Sequence, residues 1–233
     1  MIHQITVFSD AQQAWASWNL TDFQTRLAYL STFRAAISGQ HHAYASVCQF
    51  HLQQAEHALA HHQLLGPTGE TNELYASGRG VTLLLASNSD QTLAAQQSLL
   101  AMLTAALLAG NVVLVCSDDS KLNQALESAI KQANLPANVL LVVPFDSYAS
   151  LLEQDVRVVG YVGNPATEHN INLQLAKREG AICQLVSETD LSTMQIAHDP
   201  LLSLRFITER TRTINITAVG GNATLLELGS DKH

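Results

Sequence analysis

Residues 78–190 hold five short apolar runs separated by helix-like stretches, and this alternation constrains the fold more than any other feature of the chain. The runs cover residues 80–85, 112–115, 140–143, 156–162 and 182–186. Each is too short for a helix of its own and is bounded by turn residues, as expected of a strand covered on both faces. Between them the sequence predicts helices over 90–108, 120–133 and 167–179, with a short helical turn at 151–154. Ala109-Gly110-Asn111 supplies a left-handed stop for the first of these. Strands joined through helices imply right-handed crossovers and a parallel sheet flanked by helices, an α/β fold.

The flanks read differently. Residues 9–65 are rich in Ala, Gln, His and Leu and predict two or three helices, giving an N-terminal helical segment over 1–77. Ser9 or Asp10 is a candidate cap for the first helix, and Thr21 with Asp22 for the second. Leu27, Leu30, Phe33, Arg34 and Ile37 share one helical face that should pack inward. Gly66-Pro67-Thr68-Gly69 breaks the helical pattern. After 200 the chain turns β-branched: 205–208 and 211–217 read as extended, Gly220-Gly221-Asn222 as a turn, and 223–228 as a return. The expected division is therefore 1–77, a sheet domain over 78–200, and a C-terminal β-hairpin arm over 201–233.

Composition limits the partners. At 47% hydrophobic and 14% charged residues, a packed core is expected over most of the length. A formal charge of −8 argues against nucleic acid, whose binding needs clustered Lys and Arg. The longest apolar run, 99–115, is interrupted by Thr104, Gly110 and Asn111, so no membrane span is expected. Met1 to Asp10 has no basic stretch leading into an apolar one, and no secretion signal is read there. Cys48, Cys116 and Cys183 lack CxxC spacing, which suits a reducing, cytoplasmic setting. Cys116 and Cys183, in or beside apolar runs, are expected to be buried and inert. His57 and His61 stand four apart on one helix, but Ala58 occupies the place of the glutamate in HExxH. With His41, His42, His51 and His62 they read as a polar helix face, and no metal is expected.

The order of the runs resembles the aldehyde dehydrogenase superfamily, and within it the Δ1-pyrroline-5-carboxylate dehydrogenase part of bifunctional proline utilization A proteins. The strand at 80–85 followed by Ala86-Ser87-Asn88-Ser89 sits where that family has a strand and then Pro-Trp-Asn. Leu108-Ala109-Gly110-Asn111-Val112-Val113-Leu114 is similar to its Ala-Ala-Gly-Asn-Ala-Val-Leu run. Leu135-Pro136-Ala137-Asn138-Val139 resembles its Pro-x-Gly turn. The run from Val156 through Gly163-Asn164 resembles its strand ending in Gly-Ser. Leu185-Val186-Ser187-Glu188-Thr189 resembles the strand that ends in the general-base Glu. The stretch from Ile207 to Asn215, then Ala218 to Asn222, is similar to the β-flap of proline utilization A proteins, which pairs with another subunit or an internal domain.

The resemblance implies a Rossmann-like domain with an NAD crevice. The positions it carries over are Ser87, Asn88, Cys116, Asp119, Gly163 and Asn164 for cofactor, and Glu188 as a vestigial general base. Departures from the pattern weaken several of these roles. Asn88 is one place out of register with the oxyanion Asn. Cys116 stands where a Lys holds the adenosine ribose, and Asp119 where its Glu does. Thr189-Asp190 replaces Gly-Gly after the catalytic Glu. Residues 189–204 alone separate Glu188 from the tail region, and no Cys follows Cys183. Thioester chemistry needs a thiolate beside an oxyanion hole, so the chain is expected to lack the catalytic half.

The resemblance extends to the degenerate, non-catalytic aldehyde-dehydrogenase-like domain at the C-terminus of some proline utilization A proteins. The expectation is a non-catalytic structural or oligomerisation subunit that dimerises through the arm, in which Arg205, Arg210 and Arg212 pair with carboxylates across the contact. The alternatives are an NAD(P)-binding module, favoured by the Gly163 turn, a partner chain for a proline-catabolic enzyme, and a piece of a longer enzyme.

Overall fold

Five parallel strands form the centre of the protein, in the order β5-β4-β3-β6-β7, where β3 is Val81–Ala86, β4 Val112–Cys116, β5 Leu140–Val143, β6 Val158–Val162 and β7 Gln184–Glu188. This computed structural model describes residues 2–39, 41–67, 69–86 and 92–215. The order reverses beside β3, as in doubly wound sheets, whose ligand crevice lies at the carboxyl ends of the strands around that reversal. β3, β4 and β6 are buried almost throughout, which explains their largely apolar sequence, broken in β3 by the buried Thr82.

The helices are α1 (Ile2–Trp18), α2 (Phe23–Ser38), α3 (His42–Ala58), α4 (Leu93–Leu108), α5 (Ser120–Ala133), α6 (Tyr148–Leu151) and α7 (Pro165–Ala176). α4 packs on β3, β4 and β6 and is covered in turn by α3, so from Leu99 to Leu108 it is buried around its whole circumference. α5 has one wet face; Leu122, Ala125, Leu126, Ala129 and Ala133 line its buried side. It begins on the cap Asp119 and ends on Asn134 in the left-handed region, φ 51°. Asp22 caps α2 as expected, and Leu30, Phe33 and Ile37 point inward.

Several boundaries depart from the sequence reading. Ser9 and Asp10 cap nothing, because α1 starts at Ile2 and both residues lie inside it. The short helix falls at Tyr148–Leu151 rather than 151–154, drawn forward by a 3-10 turn over Phe145–Ser147. The N-terminal segment is not wholly helical. Two strands, β1 (His62–Leu64) and β2 (Glu70–Gly78), follow α3. The C-terminal strand β8 (Ile207–Asn215) is extended and antiparallel as expected, and its partner is β2, from Glu70 opposite Asn215 to Gly78 opposite Ile207. Together they form a second sheet, β1-β2-β8. The expected turn at 220–222 and return at 223–228 lie outside the described residues.

One buried asparagine joins the two sheets. Asn111, fully buried, follows Gly110, whose φ of +90° turns the chain from α4 into β4. Its Oδ1 accepts from the backbone N–H groups of Arg79 (2.8 Å) and Gly80 (3.1 Å), and its Nδ2 donates to the carbonyls of Ala106 (3.0 Å) and Phe206 (2.8 Å). The approach is close enough that a Cβ on Gly78 would stand 2.5 Å from the Gly110 backbone.

Candidate functional site

The carboxyl ends of β4, β6 and β7 carry four of the residues that the resemblance assigned to cofactor, together with Glu188. Ser87 and Asn88 lie outside the described residues. The geometry around the others turns their polar atoms inward.

Cys116 ends β4 and is completely buried. Burial, then the nearby charges of Asp118 and Asp146, pushes its thiol far above the ordinary range. It offers no cation where the resemblance has a lysine. Asp119 is 7% exposed and serves as the N-cap of α5, with Oδ1 accepting from the N–H groups of Lys121 and Leu122 at 3.1 Å each. Its Oδ2 accepts from Gln96 Nε2 at 2.6 Å, and Gln96 Oε1 accepts from the Tyr44 hydroxyl at 2.7 Å. A carboxylate held on both oxygens in this way is a helix cap rather than a free ribose acceptor.

Gly163 stands at φ +152° between β6 and α7, and its N–H donates to the carbonyl of Glu188 at 3.1 Å. Asn164 caps α7 through Oδ1, which accepts from Thr167 N–H at 2.9 Å, and its carbonyl accepts from the Tyr161 hydroxyl at 3.2 Å. Pro165 occupies the first turn, as expected of a helix start. The same turn carries Glu168, whose carboxylate accepts a short hydrogen bond from Ser187. A carboxylate there already answers the positive end of the helix, and it repels a phosphate seeking the same place.

Glu188 is 3% exposed. Its Oε2 accepts from Ile196 N–H (2.7 Å) and Ala197 N–H (3.3 Å), so the strand-end carboxylate anchors the segment between β7 and β8. The same segment is held from α3: His51, 1% exposed, meets the Ala197 carbonyl at 2.9 Å through Nε2, which must carry the proton to face a carbonyl. Burial lowers the affinity of His51 for a second proton. Asp190 folds the start of the segment by accepting from the Ser192 and Thr193 hydroxyls, which hold its pKa down to about 2.

Gln96, Tyr44 and Glu168 had no signal as site residues, since each acts on a group distant in sequence. His51 left the polar face assigned to it and entered the core. Among the described residues, no group of three or more His, Cys, Asp or Glu could hold a metal ion. Cys48 is buried and accepts from the Thr104 hydroxyl at 3.3 Å, with burial raising its pKa to about 11. Cys183 is only half-buried, with its pKa raised chiefly by burial. Arg205 and Arg212 do find carboxylates, but within the chain: Asp199 at 3.2 Å and Glu73 at 2.5 Å. No helix among the described residues is long and apolar enough to cross a membrane.

No protein-family model matches the chain. It is 30% identical over 166 residues to the bifunctional protein PutA of Salmonella typhimurium, a match covering 71% of this chain and 11% of that protein. A mutant proline utilization A from Bradyrhizobium japonicum superposes with a TM-score of 0.70 at 24% identity, over 80% of this chain and 22% of the other. The Bdellovibrio bacteriovorus proline utilization A inactivated by N-propargylglycine gives 0.70 at 17% identity, over the same shares. An NADP-dependent glyceraldehyde-3-phosphate dehydrogenase from Bacillus halodurans, complexed with NADP, gives 0.65 at 15% identity, over 80% of this chain and 44% of that one. The chain thus spans about a tenth of the curated relative's length.

Proposed function

We propose that the chain, which is 30% identical to part of PutA and shares the fold of proline utilization A structures, performs no aldehyde oxidation of its own and acts as a structural or oligomerisation subunit. The supporting observation is the position of Glu188. A general base must reach the reacting water or thiol, whereas this carboxylate is buried and spends its Oε2 on the backbone of residues 196 and 197. The segment it anchors, 189–204, contains no cysteine.

The crevice adds an electrostatic argument. Asp118, Asp119, Asp146 and Glu168 follow the ends of β4, β5 and β6, and the position of the ribose-binding lysine is a neutral, buried thiol. A dinucleotide brings a pyrophosphate to a place rich in carboxylates. Calorimetric titration with NAD⁺, and separately with NADP⁺, is expected to show no saturable heat up to millimolar ligand. Glutamate semialdehyde offered with either cofactor should remain unoxidised by the pure protein. Saturable binding would favour the second reading, an NAD(P)-binding module, for which the Gly163 turn ahead of α7 is the favourable feature.

The oligomeric part of the proposal rests on β8. It is the edge of its sheet among the described residues, and its residues from Thr208 to Ile214 are exposed. An extended strand with an unpaired edge is a template for another chain. We expect a cytoplasmic homodimer assembled through the 201–233 arm, with the 78–200 domain as scaffold and a proline-catabolic enzyme as a further partner. Sedimentation at micromolar concentration should give a dimer, and removal of residues 208–233, which leaves the buried Phe206 and Ile207 in place, should give a species of half its mass. A full-length monomer would rule the arm out as a dimer contact.

A further inference from the structure

A cleft of about 590 Å³ opens at the end of the main sheet away from the crevice, between the α1–α2 turn, the end of α3, and strands β2 and β8. Its lining includes Arg26, Glu56, His61, Tyr75 and Arg210. Arg26 is 9% exposed, yet no carboxylate among the described residues lies within salt-bridge distance of it. Its Nη1 donates to the Thr21 carbonyl at 2.7 Å, while its Nε is buried with no acceptor. Arginine is almost never buried unless paired, because desolvating the cation is costly. Asp22 acts on Arg26 only at longer range, and its carboxylate is engaged with Thr25.

Contact with the Gly110 turn accounts for where Arg26 sits: its Nη1 is 2.9 Å from the place a Gly110 Cβ would take. It does not account for the missing counter-charge. Arg210, on β8, also lines the cleft and lacks an ion-pair partner among the described residues, while Asp22 and Glu56 bring two carboxylates to the same lining. The planar guanidinium fork matches carboxylate and phosphate oxygens.

We propose that this cleft binds a small oxyanion, a carboxylate or a phosphate, between Arg26 and Arg210, with the Glu56 carboxylate opposing it. The test is a titration of the isotopically labelled full chain, followed by amide chemical shifts, with sodium phosphate and separately with sodium succinate. Ionic strength is held constant with chloride. Saturable shifts should be confined to the lining, at Thr21, Phe23, His61 and Tyr75, and the anion that produces them identifies the source. Arg210→Gln should weaken binding by about threefold and Glu56→Gln should tighten it by about the same factor, as suits partly exposed charges. Both residues are exposed, so neither change threatens the fold. Shifts no larger than those of chloride, or equal affinities in both variants and the parent, would overturn the proposal.

Discussion

Asn111→Ala is expected to be the most destabilising polar substitution in the chain, at about 4 kcal/mol. The estimate follows from what the side chain satisfies: two backbone donors, at Arg79 and Gly80, and two carbonyls, at Ala106 and Phe206. A buried group left without its partner costs about 1–3 kcal/mol. Ala106 O retains the Asn111 N–H, which reduces the total. A loss of this size is a large part of the roughly 5–15 kcal/mol that holds a typical domain. Asn111→Asp separates hydrogen bonding from shape. The carboxylate keeps both acceptors but faces two carbonyls without a proton, so its cost at neutral pH should equal or exceed that of alanine. Protonation at low pH restores one donor, and the gap between the two variants should close there. Urea melts at pH 7 and pH 4 would check this; both variants within about 1 kcal/mol of the parent would refute the reading.

That residue shows what the sequence reveals and what it hides. Gly110-Asn111 reads directly as a helix stop before a strand, because the left-handed turn is a local requirement. That Asn111 also holds residue 206 depends on folding over 95 residues of chain, and no local pattern encodes it. The central parallel strands β3, β4 and β6 were legible because burial on both faces demands largely apolar runs. The extent of α5 was legible as 120–133, whereas its cap Asp119 was read only as a cofactor position. β2 was not legible. Glu70-Thr71-Asn72-Glu73 has no apolar face, since it is half-buried along its length against β8, more than 130 residues away. Glu73 and Arg212 form an ion pair across that ladder, and Asn72 accepts from the Thr213 hydroxyl at 2.6 Å. The cofactor-like positions could be located by resemblance, but their chemistry turned on Gln96, Tyr44, Glu168 and His51, which are neighbours only in the folded chain.

Glu188 gives the sharpest contrast between scaffold and enzyme. Glu188→Ala should cost about 3 kcal/mol of stability, because the buried N–H of Ala197 and the partly buried N–H of Ile196 lose their acceptor together. Glu188→Gln keeps an amide oxygen at the same reach and forfeits only the charge assistance, so it should cost about 1 kcal/mol. A general base behaves otherwise: an amide cannot take a proton, so the glutamine and alanine variants would lose turnover alike while differing little in fold stability. The segment reports the same distinction locally. Hydrogen exchange at 196 and 197 should accelerate strongly in the alanine variant and slightly in the glutamine variant, since the opening of this segment is what the carboxylate opposes. His51 holds the Ala197 carbonyl from the other side, so the segment should loosen rather than detach in either variant. If both variants match the parent in stability and exchange, the carboxylate is not an anchor, and Glu188 becomes available for the chemistry that the scaffold reading denies it.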